Sequence, residues 1–269
     1  MKRALDEDPL HADLDGALGI ATPSRDGWEI ELVAGTGRLD VPTATTLLRR
    51  LAEQAHHRPG ATLRWRVPAP TPEHFTIATS AGFDGSRALW EMRRALPADR
   101  AEPPLIVRPF VPDLDATEWL RVNNAAFDWH PEQGGWEHEQ LSERLSEPWV
   151  DLDGFLLHPA VAGDGPGQPI DGFCWTKLEL STVPVQGEIF VIAVDPSAAG
   201  TGLGRRLVLT GLAWLHEHGA AIATLYTESD NDPAVGLYRS LGFTTHHEVR
   251  VFARTVDGQT PMPTRVPIA

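Results

Sequence analysis

The chain lacks several features that define large classes of proteins. It contains a single cysteine, Cys174, so no internal disulfide can form, which suits a reducing compartment. It has no run of about twenty apolar residues that would indicate a transmembrane helix. Residues 1–15 are charged and lack the apolar stretch of a signal peptide. We therefore expect a cytoplasmic protein that does not act at a membrane.

Positive charge is also scarce. The 23 Lys and Arg residues face 37 Asp and Glu residues, and the net charge of −14 disfavours a broad nucleic-acid-binding surface. The histidine pairs 56–57 and 246–247 have no cysteine or further histidine at ligand spacing, so we expect no metal site. A single anionic small molecule stays possible, because a few cations and backbone amides suffice to hold it.

The order of predicted elements indicates an α/β protein with an internal duplication. Residues 96–110 are rich in proline and charge, which predicts a linker between domains 1–100 and 101–269. The second domain predicts the order β-α-α-β-β-β-α-β-α-β. The first repeats a strand–loop–helix order, and residues 81–96 echo residues 241–254. The first copy is shorter.

A glycine-rich loop joins an apolar strand, 189–194, to a predicted helix, 203–218. Glycines 200, 202 and 204 let the chain turn tightly and let an anion approach the helix N-terminus, where Arg205 and Arg206 add positive charge. A tight turn without a ligand explains the glycines equally well. A Walker loop does not fit, and neither does the dinucleotide fingerprint, because Arg205 follows the last glycine.

Two motifs in sequence order resemble the GCN5-related N-acetyltransferase (GNAT) superfamily. The first is the loop with Gly202 and Gly204 after a strand that ends in "VDP", and the second is "NDPAVGLYRSLGF" at 231–243. The resemblance covers about residues 105–255 and implies a mixed sheet that binds acetyl-CoA as co-substrate, with its pyrophosphate on the loop. The sequence departs from the pattern at Ala199, where glutamine or arginine is usual.

Three further segments, 122–136, 187–196 and 225–245, resemble the mycothiol synthase family of tandem acetyltransferases. This resemblance implies transfer of acetyl to the cysteinyl amine of desacetylmycothiol, a thiol–sugar amine. We expect a monomer. The N-terminal copy departs from the family: it begins partway through the domain and is truncated or degenerate. Its loop at 34–48 no longer fits the phosphate pattern, so we do not expect that copy to bind acetyl-CoA.

The resemblance also implies roles for individual residues. Glu188 is the general base and contacts the substrate, Tyr238 is the general acid, and Tyr226, Glu132 and Lys177 contact the substrate. The even spacing of Glu188 and Val194 along a strand predicts that both side chains share one face. From the residues alone, Glu188, Glu132 and Lys177 could equally be surface charges, and both tyrosines could simply pack in the core.

The implied acetyl-CoA contacts fall in three segments. They are strand residues Ile192, Ala193 and Val194; loop residues Ala199, Gly200, Thr201, Gly202, Leu203, Gly204 and Arg205; and helix-start residues Asn231, Asp232, Pro233, Ala234, Val235 and Gly236. Asn231 could instead serve only as a helix N-cap. Two other functions stay open: an N-acetyltransferase for another small amine, and a non-catalytic acyl-CoA-binding protein.

Overall fold

The computed structural model describes residues 7–24, 27–57, 60–98, 105–130 and 133–256. The chain forms two compact units, and neither is contiguous in sequence. Unit 1 comprises Met1–Trp90, Glu228–Asp230 and His247–Ala269, and unit 2 comprises Glu91–Thr227 and Asn231–His246. The predicted domain boundary at residue 100 falls in 99–104, outside the described residues.

Unit 1 is a mixed sheet with two helices. Its elements are β1 (Leu10–Leu14), β2 (Ala17–Ser24), β3 (Gly27–Val33), α1 (Val41–Gln54), β4 (Thr62–Pro68), α2 (Pro72–Ser80), β5 (Asp84–Ala95) as far as Trp90, and β11 (Thr244–Thr255) from His247. The sheet order is β1-β2-β3-β4-β11. Only the β3–β4 contact among these is parallel. Helix α1 packs Leu47, Leu48 and Leu51 into the core, at the spacing of one helix face.

From residue 105 onward the elements follow the predicted order along the chain, although the last strand, β11, lies mainly in unit 1. Unit 2 contains the end of β5 from Glu91, β6 (Arg108–Pro109), α3 (Pro112–Ala126), α4 (His138–Leu145), β7 (Phe155–Pro159), β8 (Ile170–Glu179), β9 (Gln186–Val194), α5 (Leu203–Glu217), β10 (Ile222–Glu228) as far as Thr227, α6 (Asp232–Ser240) and the start of β11 as far as His246. The sheet order is β10-β9-β8-β7-β6, with β9 and β10 parallel. Within the described ranges no helix is long and apolar enough to cross a membrane.

An aromatic core holds the middle of the unit 2 sheet. The Phe155 ring on β7 stacks on Trp175 of β8 with centroids 4.2 Å apart, and on Phe110 at 4.3 Å. Trp119 of α3, which is fully buried, packs edge-on against Phe155 and Trp175. These aromatic contacts hold β8, the strand beside β9, in the core of unit 2.

Strands β5 and β11 are counterparts, which supports the predicted duplication. Both have twelve residues and the same sequence of buried and exposed positions. The Arg254 side chain donates to the Ala81 carbonyl in unit 1 at 2.7 Å, and Arg94 donates to the Leu241 carbonyl in unit 2. Arg254 lies thirteen residues after Leu241, and Arg94 lies thirteen residues after Ala81, so the two arginines and the two acceptors occupy matching positions in the two copies. Unit 1 therefore includes the end of β11, and unit 2 includes the end of β5.

Candidate active site

Strands β9 and β10 pair over only three residues. Their parallel ladder ends where Glu188 lies beside Thr224, although β9 continues to Val194 and β10 to Glu228. Beyond that point the ladder between them stops, which leaves the β10-facing backbone of β9 without a strand partner in the described structure. An extended amide-bearing ligand can pair with such backbone as an added strand would.

We call the gap where β9 and β10 separate the opening, and the residues of the last ladder pair its floor. Polar side chains lie there on one face of the sheet. Thr224 pairs with Glu188, and Tyr226 lies two residues further along β10, on the same face as Thr224. The Thr224 hydroxyl is buried and has no hydrogen-bond partner among the described residues.

A β-bulge at Phe190 interrupts the pairing of β9 with β8. Trp175 of β8 faces Val191, but the next residue, Thr176, faces Ile189. Phe190 is therefore the extra residue, and the side chains before and after it change faces. Bulges are common beside active sites, because they redirect a side chain without ending the strand.

This bulge makes one prediction wrong: Glu188 and Val194 do not share a face. A Cβ on Gly187 would lie 2.5 Å from Leu215 of α5, so position 187 faces α5 and Glu188, its neighbour, faces away. A Cβ on Gly204 of α5 would lie 3.6 Å from Val194, so Val194 faces α5. The prediction from even spacing was wrong because it assumed a regular strand between Glu188 and Val194.

Glu188 is a half-buried carboxyl group directly opposite Lys177 in the β8–β9 ladder. Desolvation raises its pKa to about 7, the Lys177 charge opposes this, and Glu91 and Glu179 add to it. The Lys177 ammonium lies 5.2 Å from the Trp149 ring centroid. A carboxyl group that titrates near neutral pH suits a general base.

Tyr226 is 48% exposed, so the alternative that its ring only packs in the core is wrong. Its hydroxyl donates a hydrogen bond to Oε2 of Glu91 at 3.2 Å. Partial burial raises the Tyr226 pKa to about 12, with contributions from Glu91 and Glu188. The phenol therefore keeps its proton at neutral pH and presents its oxygen to the opening.

Tyr238 differs from Tyr226 in being buried. Its ring lies on α6, is 8% exposed and packs 5.9 Å from Phe243. Burial raises the Tyr238 pKa to about 12, with a smaller contribution from Cys174. Burial also raises the pKa of the Cys174 thiol to about 12. Both the phenol and the thiol therefore keep their protons at neutral pH, and Cys174 is no nucleophile.

The glycine loop forms an open helix N-terminus. Gly200 and Gly202 have φ of +76° and +81°, which favours glycine, and Gly202 is the N-cap of α5 without a side-chain hydrogen bond. Gly204 lies in the first turn, where an added Cβ would make only ordinary contacts. Protein packing therefore does not require glycine at 204, and the first-turn amides have space for an anion. Arg205 donates to Ser240 at 2.9 Å.

The strand end before this loop is anchored by residues that the sequence reasoning missed. Asp195 is 6% exposed, and its carboxylate accepts from the Ser197 backbone at 2.8 Å and pairs with Arg121 of α3. Arg121 also pairs with Glu118 at 2.7 Å. These contacts fix where β9 ends and the loop begins. The "VDP" string resembles the family pattern, but the resemblance did not predict that Asp195 anchors the end of β9.

The start of α6 holds the second group of predicted contacts. Asn231 is the N-cap, and its side-chain oxygen accepts from the Ala234 backbone at 3.3 Å. The cap alternative therefore holds for the oxygen, while the amide group of Asn231 stays a predicted cofactor contact. Asp232, Pro233 and Gly236 are exposed, and Val235 is buried. A role of the Val235 side chain in binding is therefore unsupported, which leaves its backbone.

Glu132 lies outside the described residues, but the turn after it is firmly held. The buried Asn123 of α3 donates to the Gln133 carbonyl at 2.8 Å and accepts from the Gln133 side chain at 3.0 Å. Asn124 bonds both the N–H and the carbonyl of Trp136 at 2.8 Å. The adjacent asparagines in a helix were the available signal, because polar residues in that setting need specific partners.

The loop, the splayed parallel strands and the half-buried carboxyl group define a GNAT acyltransferase fold. A model of the acetyltransferase (GNAT) family matches residues 122–243. The structure is similar to a GCN5-related N-acetyltransferase from Sphaerobacter thermophilus, with a TM-score of 0.71 and 19% identity over 92% of this chain and 79% of that one. It is also similar to a tandem GNAT protein from the clavulanic acid biosynthesis pathway, with a TM-score of 0.63, 16% identity and coverage of 91% and 80%.

More particularly, the chain belongs to the mycothiol acetyltransferase family. It is 42% identical to the mycothiol acetyltransferase of Segniliparus rotundus over 73% of this chain and 74% of the relative. With that of Thermomonospora curvata it shares 39% identity over 88% of this chain and 75% of the relative. With that of Nocardia farcinica it shares 41% over 73% and 66%. The alignments with the Nocardia and Nocardioides relatives thus span 66% and 62% of their length.

Proposed function

We propose that the chain transfers an acetyl group from acetyl-CoA to the cysteinyl amine of desacetylmycothiol, giving mycothiol and CoA. The observation that carries this is the position of Glu188: a half-buried carboxyl group with a pKa of about 7, at the point where β9 and β10 separate. The names of the relatives, mycothiol acetyltransferases at 39–42% identity, support the choice of acceptor.

The residues present fit acetyl-CoA. The uncapped N-terminus of α5 offers backbone amides for a pyrophosphate, and Gly204 leaves room for its approach. Ile192, Ala193 and Val194 pair with β8 on one side, and their β10-facing side, which the β9–β10 ladder does not reach, suits the amides of a pantetheine arm. We assign the remaining contacts to loop residues Ala199 to Arg205 and to the start of α6, from Asn231 to Gly236. When bound, acetyl-CoA supplies the acetyl group as a thioester.

Glu188 is the proposed general base. A cysteinyl α-amine has a pKa of about 8, so only a small cost separates its ammonium from the nucleophilic amine. The Glu188 carboxylate takes this proton directly or through one water, and its pKa near 7 makes the transfer nearly balanced. A new C–N bond then forms as the thioester C–S bond breaks.

Two further groups stabilise the charges that this reaction creates. Tyr238, with a pKa raised to about 12, keeps the proton that it donates to the departing CoA sulfur. A backbone N–H from the 192–194 segment is the proposed donor to the developing carbonyl oxyanion, a role that contributes strongly in a water-poor site. The acetyl group is thereby transferred to the amine. Glu188 accepts one proton, and Tyr238 releases one.

The acceptor site is the face that carries Glu188, Lys177 and Tyr226. Lys177 over the Trp149 ring offers an ammonium donor beside an aromatic wall, which suits the hydroxyl groups and ring of a sugar. Glu132 is proposed to bind the sugar–inositol part.

Mass spectrometry of the purified protein with acetyl-CoA and desacetylmycothiol tests this function. We expect a product heavier by one acetyl group, with release of an equal amount of CoA. A panel of other small amines, aminoglycosides among them, runs in parallel. Turnover of another amine alone would replace the acceptor and keep the reaction. Binding of acetyl-CoA without turnover of any amine would make the chain an acyl-CoA-binding protein.

A further inference from the structure

Glu91 is a buried carboxylate that the proposed reaction does not use. It lies on β5 in unit 2, and its side chain is 3% exposed. Its Oε1 accepts a hydrogen bond from Arg93, and its Oε2 accepts one from the Tyr226 hydroxyl at 3.2 Å. Burying a carboxylate costs free energy unless its partners compensate, so its position calls for an explanation.

The internal duplication shows which residue occupies the matching position in the other copy. Glu91 is the eighth residue of β5, and the eighth residue of β11 is Val251. Both are buried, and Val251 is 0% exposed in a small cluster with Leu89 and Val249. Valine is therefore the residue that this strand position accepts for packing alone. Of the two matching positions, the one in unit 2 carries the carboxylate of Glu91, and the one in unit 1 carries Val251.

The hydrogen bond to Glu91 determines what Tyr226 presents to the opening. Because the phenolic proton points to Glu91, the lone pairs of the Tyr226 oxygen are left as acceptors on a side chain that is 48% exposed. Glu188 is on the same face and is the proposed base. An amine that gives its proton to Glu188 has further N–H groups, and an oxygen acceptor beside it can hold one of them.

We propose that Glu91 is a positioning residue for the amine acceptor: it orients the Tyr226 hydroxyl so that its oxygen accepts a hydrogen bond from the amine that attacks. This inference rests on the proposed acetyl transfer, and it extends the acceptor site to β5, the last strand of the N-terminal copy in sequence. Glu91 acts through Tyr226 and does not contact the reacting atoms.

Other titratable groups act on Glu91 and Tyr226. Arg93 pairs with Glu91, and its charge lowers the Tyr226 pKa, whereas Glu91 and Glu188 raise it. His246, which is exposed, offers a ring nitrogen within 4.8 Å of a Glu91 carboxylate oxygen. The measurements below therefore contain EDTA, so that no adventitious cation at this carboxylate contributes to the result.

A tyrosine titration tests the hydrogen bond without any need for turnover. The chain has two tyrosines, so Tyr226 is the sole tyrosine in a Tyr238→Phe background. With ring-labelled tyrosine, NMR reads its ionisation directly. Glu91→Gln and Glu91→Val in this background should each lower the Tyr226 midpoint by about one pH unit, because the negative charge that disfavours the phenolate is gone. An unchanged midpoint in both variants would overturn the inference, whatever the acceptor is.

Steady-state kinetics test the role in acceptor binding. Glu91→Gln and Tyr226→Phe should each raise KM for the amine about tenfold, the effect of one hydrogen bond, and change KM for acetyl-CoA less than twofold. The double variant should be no worse than Tyr226→Phe alone, because the two residues act as one unit. Effects that simply multiply, or an equal rise in both KM values, would contradict the inference.

Two controls separate positioning from folding. Glu91→Val installs the residue of the matching strand position, so its unfolding temperature should equal or exceed that of the parent while its KM for the amine rises. A lower unfolding temperature would make Glu91 a structural residue. Glu248→Gln removes a carboxylate that pairs with Arg250 in the same two-residue strand geometry, in unit 1, and should change neither KM. If the protein does not acetylate desacetylmycothiol, the single and double variants are compared on the amine that it does acetylate. The tyrosine titration still tests the role of Glu91.

Discussion

Two strand–loop–helix segments of this chain, β3 to α1 and β9 to α5, share a backbone plan and differ in side chains. Like β9 and β10, strands β3 and β4 are parallel and pair for three residues before their ladder ends. The last pair of the first ladder is Ile30 with Trp65, both at 6% exposure. The last pair of the second is Glu188 with Thr224. The opening between parallel strands is thus a property of the fold, whereas its acid–base chemistry depends on the residues at its floor.

The helix N-termini that follow the two openings differ in the same way. Helix α1 begins at Asp40, whose carboxylate accepts from the Thr43 backbone at 2.7 Å, and Pro42 in its first turn has no N–H to donate. Helix α5 begins at Gly202 with no side-chain cap and carries Arg205 in its first turn. A negative cap occupies the amides and repels a phosphate, so only the second helix suits one.

The first copy still has a cavity of about 430 Å³, lined by residues of β3, β4, α1 and α2. Its wall includes the ion pair of Arg38 with Glu73, 2.5 Å between the charged atoms. The first copy therefore has a cavity of its own, whereas the proposed base and the proposed phosphate site belong to the second copy. Each prediction below alters one of these differences.

Glu188→Gln should have the largest effect, because it gives the catalytic opening an uncharged floor like that of the first copy. We expect kcat to fall by about two to four orders of magnitude, the usual contribution of a general base, with little change in acetyl-CoA affinity. CoA release measured with a thiol reagent and calorimetric binding of acetyl-CoA give the two numbers. Unchanged turnover would refute the base role.

The matched control for this variant is Glu143→Gln, which removes an exposed carboxylate of α4 in the same unit. It should leave kcat unchanged. The pH dependence provides a second check: kcat/KM of the parent should rise as Glu188 ionises near pH 7, and Glu188→Gln should lose that part of the profile. A profile that keeps its rise at the same pH would assign the titration to another group.

Gly204→Ala should come next in size, and it tests the phosphate cradle. A Cβ there would meet only ordinary contacts with Val194 and Leu237 at 3.6 and 4.0 Å, and alanine favours a helix over glycine, so folding is not impaired. The methyl group would occupy the space that a phosphate needs. We expect acetyl-CoA to bind about ten- to a hundredfold more weakly, with no loss of thermal stability.

Isothermal titration calorimetry measures this change, and its stoichiometry addresses the comparison directly. One acetyl-CoA per chain is expected in the parent, because α1 carries the Asp40 cap. Gly165→Ala, in a loop position with nothing within 4 Å of the added Cβ, is the control and should bind normally. Two equivalent sites, or an unaffected Gly204→Ala, would contradict the difference drawn between the copies.

These differences also show what sequence reasoning could reach. Periodicity, apolar runs and the positions of glycine and proline predicted the order of elements from residue 105 onward. The face of Glu188 could not be predicted, since the Phe190 bulge depends on pairing with β8 rather than on local pattern. Glu91 was missed because β5 was assigned to the first domain, and nothing local distinguishes a strand that ends in the other unit.

The stability of the protein should also respond to Glu188, in the opposite direction to activity. Its pKa is about 7 in the folded protein, against an ordinary value of 4.5, so the folded state binds this proton more tightly than the unfolded state. Ionisation therefore costs stability, which is lost as pH rises from about 4.5 to above 7. Glu188→Gln removes that cost. Its melting temperature should exceed that of the parent at pH 8 and equal it at pH 4.5, as scanning calorimetry can measure; a lower value at pH 8 would mean that the carboxylate is net stabilising.

Asp40→Ala should have the smallest effect and reverses the first difference between the helices. It removes the N-cap of α1 and leaves the Thr43 amide without its partner, so the melting temperature should fall by a few degrees. Because unit 2 contains the proposed catalytic residues, kcat and the acetyl-CoA affinity should stay as in the parent. Asp40→Asn is the matched control, since asparagine caps a helix as well as aspartate does and should restore the melting temperature. If removing the cap alone raised the binding stoichiometry to two, the carboxylate and not Pro42 would be what excludes the phosphate from the first copy.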